Sequence, residues 1–181
     1  MILRNAGITD VSIHHIPGDL TDNYNPREHT LNLSDKVYGS RSIAAIGVAA
    51  HECGHAIQHA RHYVPLTVRS AIIPAANIGS SFAWPLVLIG LIIPRLNFCM
   101  TIGILLFSLV VILQLVTLPV EFNASRRAIQ IIRDSGYLAP DELKGAKSVL
   151  KAAAMTYVAA MVSVSLQLLR LVILRNSRDD N

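Results

Sequence analysis

Charged residues and cysteines are both scarce in this sequence. Asp, Glu, Lys and Arg make up 15% of its 181 residues, well below the roughly 25% of an ordinary soluble domain. The two cysteines, Cys53 and Cys99, lie in unlike segments, one polar and one apolar, and we do not expect them to pair. The sequence therefore excludes a disulfide scaffold of the kind that stabilises small secreted domains.

The charge balance is positive, with a formal net charge of +4 and a pI near 9.3. Basic totals are common in nucleic-acid-binding proteins, but this sequence has no basic patch with interleaved aromatic residues. We therefore expect no nucleic-acid partner. The positive charge is instead typical of segments that lie beside an anionic lipid bilayer.

Long apolar runs are what the sequence has in excess. Residues 71–94 and 96–120 carry no charge and are separated only by Arg95, and a third run at about 152–174 is interrupted only by Arg170. Each run is long enough to cross a bilayer as a helix, which takes about 20 residues. We predict a tight hairpin of two spans, followed by a third span.

The prolines of the first run, at positions 74, 85 and 94, predict a bent or partly broken helix. Residues 1–10 lack the apolar stretch of a signal peptide. Membrane insertion is therefore expected to rely on the internal spans.

The polar remainder of the chain predicts a small mixed part. "VSIHHIPG" and Thr30–Ser34 are typical of short strands, "DLTDNYNPRE" is dense in turn formers, and a helix capped by Ser40 or Ser42 covers about Ile43–His62. The predicted fold class is mainly α, a multi-pass helical membrane protein with a small α+β part. We expect a single domain, 1–181, composed of a soluble part (1–70), a transmembrane hairpin (71–94 and 96–120), soluble helices (121–148), a third span (149–174) and a tail (175–181).

The predicted helix contains His51-Glu52-Cys53-Gly54-His55, an H-E-x-x-H pattern. Residues four apart lie on one face of a helix, so the two imidazoles can bind one ion. Glu52 lies beside that face and can accept a proton from a water molecule at the ion. Cys53 is expected to point away into the core. A buried histidine pair held by hydrogen bonds is the plain alternative to a metal site.

Catalytic zinc takes three protein ligands and leaves one position open. We predict Glu121 as the third ligand, because it follows a long apolar span, where a carboxylate is costly unless it has a partner. A glutamate stabilised by a helix dipole is the alternative. Two spans separate Glu121 from the motif helix, which brings both to one side of the membrane.

Other candidates fit less well. Arg61 occupies the position where a metzincin has its last histidine. His59 stacks poorly with two histidines on a straight helix, so we expect His59 and His62 to be supporting or surface groups. The spans contain no Asp, which disfavours a site-two type intramembrane protease, and few polar ligands, which disfavours a metal transporter. We expect ordinary roles for the histidines at positions 14, 15 and 29.

Three segments of the chain resemble a known family. These are "HIPGDLTDNYNPREHTLNLS", "SIAAIGVAAHECGHAIQHA" and "LVTLPVEFNASRRA", in this order within roughly Ile2–Leu174. They are similar to the YugP-type family of bacterial membrane neutral zinc metallopeptidases. The resemblance implies a zinc-dependent peptidase, with one zinc held by His51 and His55 and with Glu52 as the catalytic glutamate.

The chain departs from the proteins it resembles at two points. Glu121 looks like the glutamate ligand of a broader group of membrane proteases, the heat-shock and CAAX-processing enzymes, which often carry an Asp four residues later. This chain has Ser125 at that position. Family members usually have a further span and a short helix before the matching region, so the chain is expected to be either a fragment or one with an internal start.

The sequence therefore predicts a zinc peptidase of the cell membrane that acts on proteins or peptides, membrane proteins included. A non-catalytic membrane adaptor with a structural or lost zinc site is the alternative. The positive-inside rule places the motif helix in the cytoplasm. Its side of the membrane carries eight basic residues, against Arg95, Arg175 and Arg178 on the other: Arg61, Arg69, Arg126, Arg127, Arg133, Lys144, Lys147 and Lys151.

Overall fold

The fold is mainly helical, as predicted, in a computed structural model that describes residues 2–179. A short helix and three short strands precede four longer helices. The elements are α1 (Ile2–Asn5), β1 (Ser12–His15), β2 (Asn23–Asn25), β3 (Thr30–Leu33), α2 (Ile43–Ala60), α3 (Val64–Ile92), α4 (Asn97–Ser135) and α5 (Pro140–Asp179), with a 3-10 turn at Pro94–Leu96.

The three strands form one sheet in the order β1-β3-β2. β3 is central, parallel to β1 and antiparallel to β2. The sequence predicted β1 and β3 but treated the segment of β2 as turns. Its register places Asn23 opposite Asn32, and the amide of Asn32 donates to Oδ1 of Asn23 at 3.0 Å. This pairing between distant residues has no local signal in a turn-rich segment.

Helix α2 begins where the capping residues predict. The Oγ of Ser42 accepts a hydrogen bond from the backbone N–H of Ala45, which satisfies a donor that the first turn leaves unpaired. The helix ends at Ala60, and His62 follows in a left-handed conformation (φ 50°). The chain then turns into α3.

The described chain divides into two compact units. The first, the site unit, comprises the chain up to Leu66 and Val120–Met155, and the second, the helical unit, comprises Thr67–Pro119 and the chain from Thr156. Two apolar clusters form the core of the site unit. One joins α2 to the sheet through residues such as Leu31 and Ile57, and the other joins α2, α4 and α5 through Ala50, Ile132 and Leu150.

The helical unit contains most of the apolar length of α3, α4 and α5. In the described part of the chain, three helices are long and apolar enough to cross a membrane, and at most 28% of the most apolar stretch of each is buried. Most of these side chains therefore face outward, which suits a lipid environment. Small residues allow close packing between α3 and α4: a Cβ on Gly79 would lie 2.8 Å from the carbonyl oxygen of Leu106.

Two features of these helices differ from the sequence prediction. α3 runs through both Pro74 and Pro85 without a break, so the predicted partial break is absent, while the predicted bend stays a prediction. Neighbouring helices can support the backbone where a proline removes a hydrogen bond. α4 is a single helix of 39 residues, where a span and a separate soluble helix were expected on either side of Glu121. Its apolar and amphipathic halves form one helix, in which Pro119 is the one residue that lacks a backbone N–H donor.

Candidate metal centre

Two helices of the site unit bring three metal-binding side chains together. His51 and His55 lie one turn apart on α2, and Glu121 lies on α4. His51 Nε2 is 3.2 Å from Glu121 Oε2 and 3.2 Å from His55 Nε2, and His55 Nε2 is 3.6 Å from Glu121 Oε2. Among residues 2–179, this is the one group of three or more potential ligands close enough to hold an ion.

The spacing of these donor atoms fits zinc. A tetrahedral site with bonds of about 2.0–2.1 Å has neighbouring ligand atoms about 3.3 Å apart. The three distances in this group, 3.2, 3.2 and 3.6 Å, lie around that value. Two imidazoles and one carboxylate are also a ligand set found in catalytic zinc sites. The group supplies three protein donors, which leaves a fourth position for water or substrate.

Ser125 lies where the resemblance led us to expect an aspartate. Its Oγ is 3.1 Å from His51 Nδ1, the ring nitrogen turned away from the ligand group. Ser125 and Glu121 lie one turn apart on α4, so the same helix face supplies both groups. A hydroxyl oxygen can accept a hydrogen bond from the Nδ1 N–H as a carboxylate does, although without the negative charge. The serine therefore occupies the supporting position.

Gln58 supports the other histidine, and sequence reasoning missed it. Its Oε1 accepts from His55 Nδ1 at 3.0 Å, and its Nε2 donates to the carbonyl oxygen of Val120 (2.8 Å) and to Oδ1 of Asn123 (3.0 Å). Gln58 is completely buried. The available signal was its position three residues after His55, which places the two side chains on one helix face.

Glu52 is buried beside the ligand group, with 8% of its surface exposed. Burial raises the pKa of its carboxyl group, while the nearby imidazoles of His55 and His51 act in the opposite direction. Within the described chain its carboxylate makes no hydrogen bond. A carboxyl group whose pKa is raised by burial beside potential metal ligands is characteristic of functional sites.

Burial alone would lower the pKa of His55, but the nearby carboxylate of Glu121 outweighs it and raises the pKa. Cys53 packs in the apolar cluster between α2 and the sheet, where burial raises the pKa of its thiol to about 12. The thiol is therefore a core group, as the sequence predicted.

The remaining histidines lie in other contacts. His59 Nδ1 is 2.9 Å from the hydroxyl of Tyr24, and its ring stacks edge-on against His29. His29 Nδ1 is 2.6 Å from Asp10 Oδ2, and His15 Nε2 is 2.7 Å from Asp35 Oδ1, both within hydrogen-bond distance. None of these four contacts involves His51, His55 or Glu121.

Gly54 is required where α2 crosses α4. A Cβ at this position would lie 2.6 Å from the carbonyl oxygen of Ala124, closer than real contacts allow. Gly47, one turn before His51, has ordinary space instead, with its nearest neighbours 3.9 Å away. A steric requirement for glycine therefore exists at Gly54 and not at Gly47, and it concerns the approach of α4, which carries Glu121.

Comparisons with known proteins show the family of the chain. The model of a family described as "Putative neutral zinc metallopeptidase" matches residues 1–176. The chain is also 48% identical over 181 residues to "Putative membrane protease YugP" of Bacillus subtilis (strain 168), a match that covers 99% of this chain and 80% of the relative. No solved structure matches. Because the family model covers nearly the whole chain, the chain belongs to this family of neutral zinc metallopeptidases.

Proposed function

We propose that the chain is a membrane-bound peptidase that hydrolyses peptide bonds with one zinc ion held by His51, His55 and Glu121. The convergence of three donor atoms at 3.2–3.6 Å carries this proposal. Family membership supports the same chemistry. Three apolar helices support attachment to a membrane.

The side chains around the ligand group have separate tasks in this mechanism. When bound, zinc would act as a Lewis acid that lowers the pKa of a water molecule to near neutral pH and polarises a carbonyl group. Glu52 accepts the proton of the attacking water and returns it to the leaving amine. Its carboxylate suits this task because it is buried beside both imidazoles and makes no hydrogen bond within residues 2–179. Ser125 and Gln58 orient the two histidines.

A membrane adaptor with a structural zinc is the competing function. Structural zinc sites are closed by four protein ligands, whereas this group has three in the described chain. An adaptor also gives no reason to keep the mostly buried carboxyl group of Glu52, which makes no hydrogen bond within residues 2–179, beside the ligand group. Both observations favour catalysis.

The test is proteolysis of β-casein and of a detergent-solubilised membrane protein by purified wild type and Glu52→Gln. We expect zinc-dependent cleavage by wild type and a loss of about 10²–10⁴-fold in Glu52→Gln, the usual contribution of a general base, with zinc content unchanged. Zinc-loaded wild type that cleaves neither substrate would favour the adaptor. Cleavage at the full rate by Glu52→Gln would remove Glu52 from the mechanism.

The cytoplasmic placement of the site is a second part of the proposal. The basic residues on either side of the predicted spans support it through the positive-inside rule. Arg41 is exposed just before α2, and both native cysteines are buried. We expect Arg41→Cys to resist a membrane-impermeant maleimide in intact cells and to react in inverted membrane vesicles. The opposite labelling pattern would place the site outside.

A further inference from the structure

We infer that Gln58 is a positioning residue that fixes the protonation pattern of the His55 ring, so that Nε2 is the nitrogen free to bind metal. This inference rests on the proposed function for the identity of the metal ligand. Its basis is a chain of hydrogen bonds that runs from the half-buried Arg127 through Asn123 and the completely buried Gln58 to His55.

The chain of hydrogen bonds begins at a group that can only donate. The Nε of Arg127 donates to the side chain of Asn123 at 2.7 Å. A guanidinium has no acceptor, so the Asn123 atom facing it must be the amide oxygen. That oxygen also receives the Nε2 of Gln58 at 3.0 Å. The orientation of the Asn123 amide is therefore fixed, because its oxygen accepts hydrogen bonds from two N–H donors, one of them on a charged guanidinium.

The orientation of the Gln58 amide is fixed in the same way. Its Nε2 lies 2.8 Å from the backbone oxygen of Val120, which can only accept. Both protons of the Gln58 amide nitrogen are then used, one by Val120 and one by Asn123. The amide oxygen is left to face His55, and turning the amide over would place oxygen against oxygen twice in a completely buried position.

His55 must therefore donate. Its Nδ1 is 3.0 Å from the Gln58 oxygen, and an amide oxygen has no proton to give. A neutral imidazole that carries its proton on Nδ1 has a lone pair on Nε2. Nε2 is the atom that lies 3.2 Å from His51 Nε2 and 3.6 Å from the Glu121 carboxylate. Gln58 thus prepares His55 for the metal before the metal arrives.

The bond to Val120 gives Gln58 a second effect. Val120 immediately precedes Glu121 on α4, whereas Gln58 and His55 lie on α2. One amide therefore links the helix of the histidine ligands to the helix of the carboxylate ligand, beside the ligands themselves. Supporting groups of this kind change metal affinity by about 10–100-fold when they are removed.

The experiment compares purified wild type with Gln58→Met, which keeps the length of the side chain and removes its amide. Gln167→Met, the same substitution in the helical unit, is the matched control. Zinc affinity is measured by competition with a chelator. We expect affinity to fall about 10–100-fold in Gln58→Met and to stay at the wild-type value in the control.

A ¹⁵N spectrum of histidine-labelled, metal-free protein separates this role from a packing role. It is recorded in alkaline buffer, where the imidazoles are neutral and their tautomers can be told apart. The signals of His55 are assigned with a His55→Ala sample. We expect His55 to be protonated on Nδ1 in wild type and to be a mixture of both tautomers in Gln58→Met. If wild-type His55 is protonated on Nε2, or if folded Gln58→Met keeps both the affinity and the Nδ1 proton, the inference is wrong.

Arg127→Met decides the matter if Gln58→Met fails to fold. It removes the donor that orients Asn123 and leaves the buried residues in place. A smaller fall in zinc affinity with some Nε2-protonated His55 supports the inference, and an unchanged affinity and spectrum overturn it. Wild type that binds no zinc contradicts the proposed function instead, and the wild-type ¹⁵N spectrum still tests the tautomer.

Discussion

Gly54→Ala should damage the metal site through backbone contact alone. The added methyl carbon would lie 2.6 Å from the carbonyl oxygen of Ala124 and 3.2 Å from two further backbone atoms of that residue. Ordinary contact begins at 3.4 Å, so α2 and α4 must separate locally by about 0.8 Å. A backbone carbonyl in a helix cannot rotate away as a side chain can. The strain therefore falls on the distance between the two ligand-bearing helices.

The expected effects follow from this separation. Overpacking of this kind costs about 1–3 kcal/mol, and the better helix propensity of alanine returns about 1 kcal/mol. We expect a net loss of up to about 2 kcal/mol in stability. Metal sites tolerate errors of about 0.2 Å in ligand distance, so Gly54→Ala should also lose most of its zinc affinity.

The assay is thermal unfolding of the detergent-purified protein, followed by circular dichroism, together with a zinc titration. Gly47→Ala is the matched control in the same helix, because its new Cβ would meet its nearest atoms at 3.9 Å. We expect this control to keep its zinc affinity and to unfold at or above the wild-type temperature. If Gly54→Ala behaves like Gly47→Ala, the close approach of α2 and α4 is not what sets the ligand distances.

Three further predictions concern the surroundings of the site. Ser125→Ala should weaken zinc binding, and Ser125→Asp should strengthen it relative to wild type, because a carboxylate holds the His51 Nδ1 proton more strongly; equal affinities in a chelator competition would contradict this. Removing zinc with a chelator should lower the unfolding temperature, by an amount equivalent to about 2.7 kcal/mol if free zinc had been at 100 times its Kd; an unchanged temperature would mean that the native state holds no zinc. Hydrogen bonds from the Gly18 N–H and from His15 lower the pKa of Asp35, so this carboxylate stabilises the fold above the usual carboxyl pKa and loses that effect as pH falls through the lowered pKa. Asp35→Asn should therefore have a lower unfolding temperature than wild type at pH 7 and the same unfolding temperature in strong acid. A difference that persists in strong acid would refute the assignment.

The close grouping of His51, His55 and Glu121 could be predicted from the sequence, because each part has a local or topological signal. The H-E-x-x-H spacing places His51 and His55 on one helix face. Glu121 follows from the count of spans, and the structure does bring all three residues together. The capped start of α2 at Ser42 was also evident, since capping depends on residues within one turn.

The supporting groups could not be predicted in the same way. Gln58 acts through Val120 and Asn123, which are 62 and 65 positions further along the chain. Nothing in the local pattern indicates which face of α4 they occupy. β2 was missed for a related reason, because its pairing with β3 overrides a segment rich in turn-forming residues. The continuity of α4 through Pro119 likewise runs against local propensity, because a proline inside a helix removes a backbone donor.

The most direct test of the central claim is the zinc content of wild type, Glu121→Ala and Glu28→Ala, measured by mass spectrometry of the metal after purification in detergent. Glu28 is an exposed glutamate and serves as the matched control. We predict close to one zinc per chain in wild type and in Glu28→Ala, and little zinc in Glu121→Ala, since the ion would lose one of its three protein ligands. Full zinc content in Glu121→Ala, or none in wild type, would contradict the proposed metal centre.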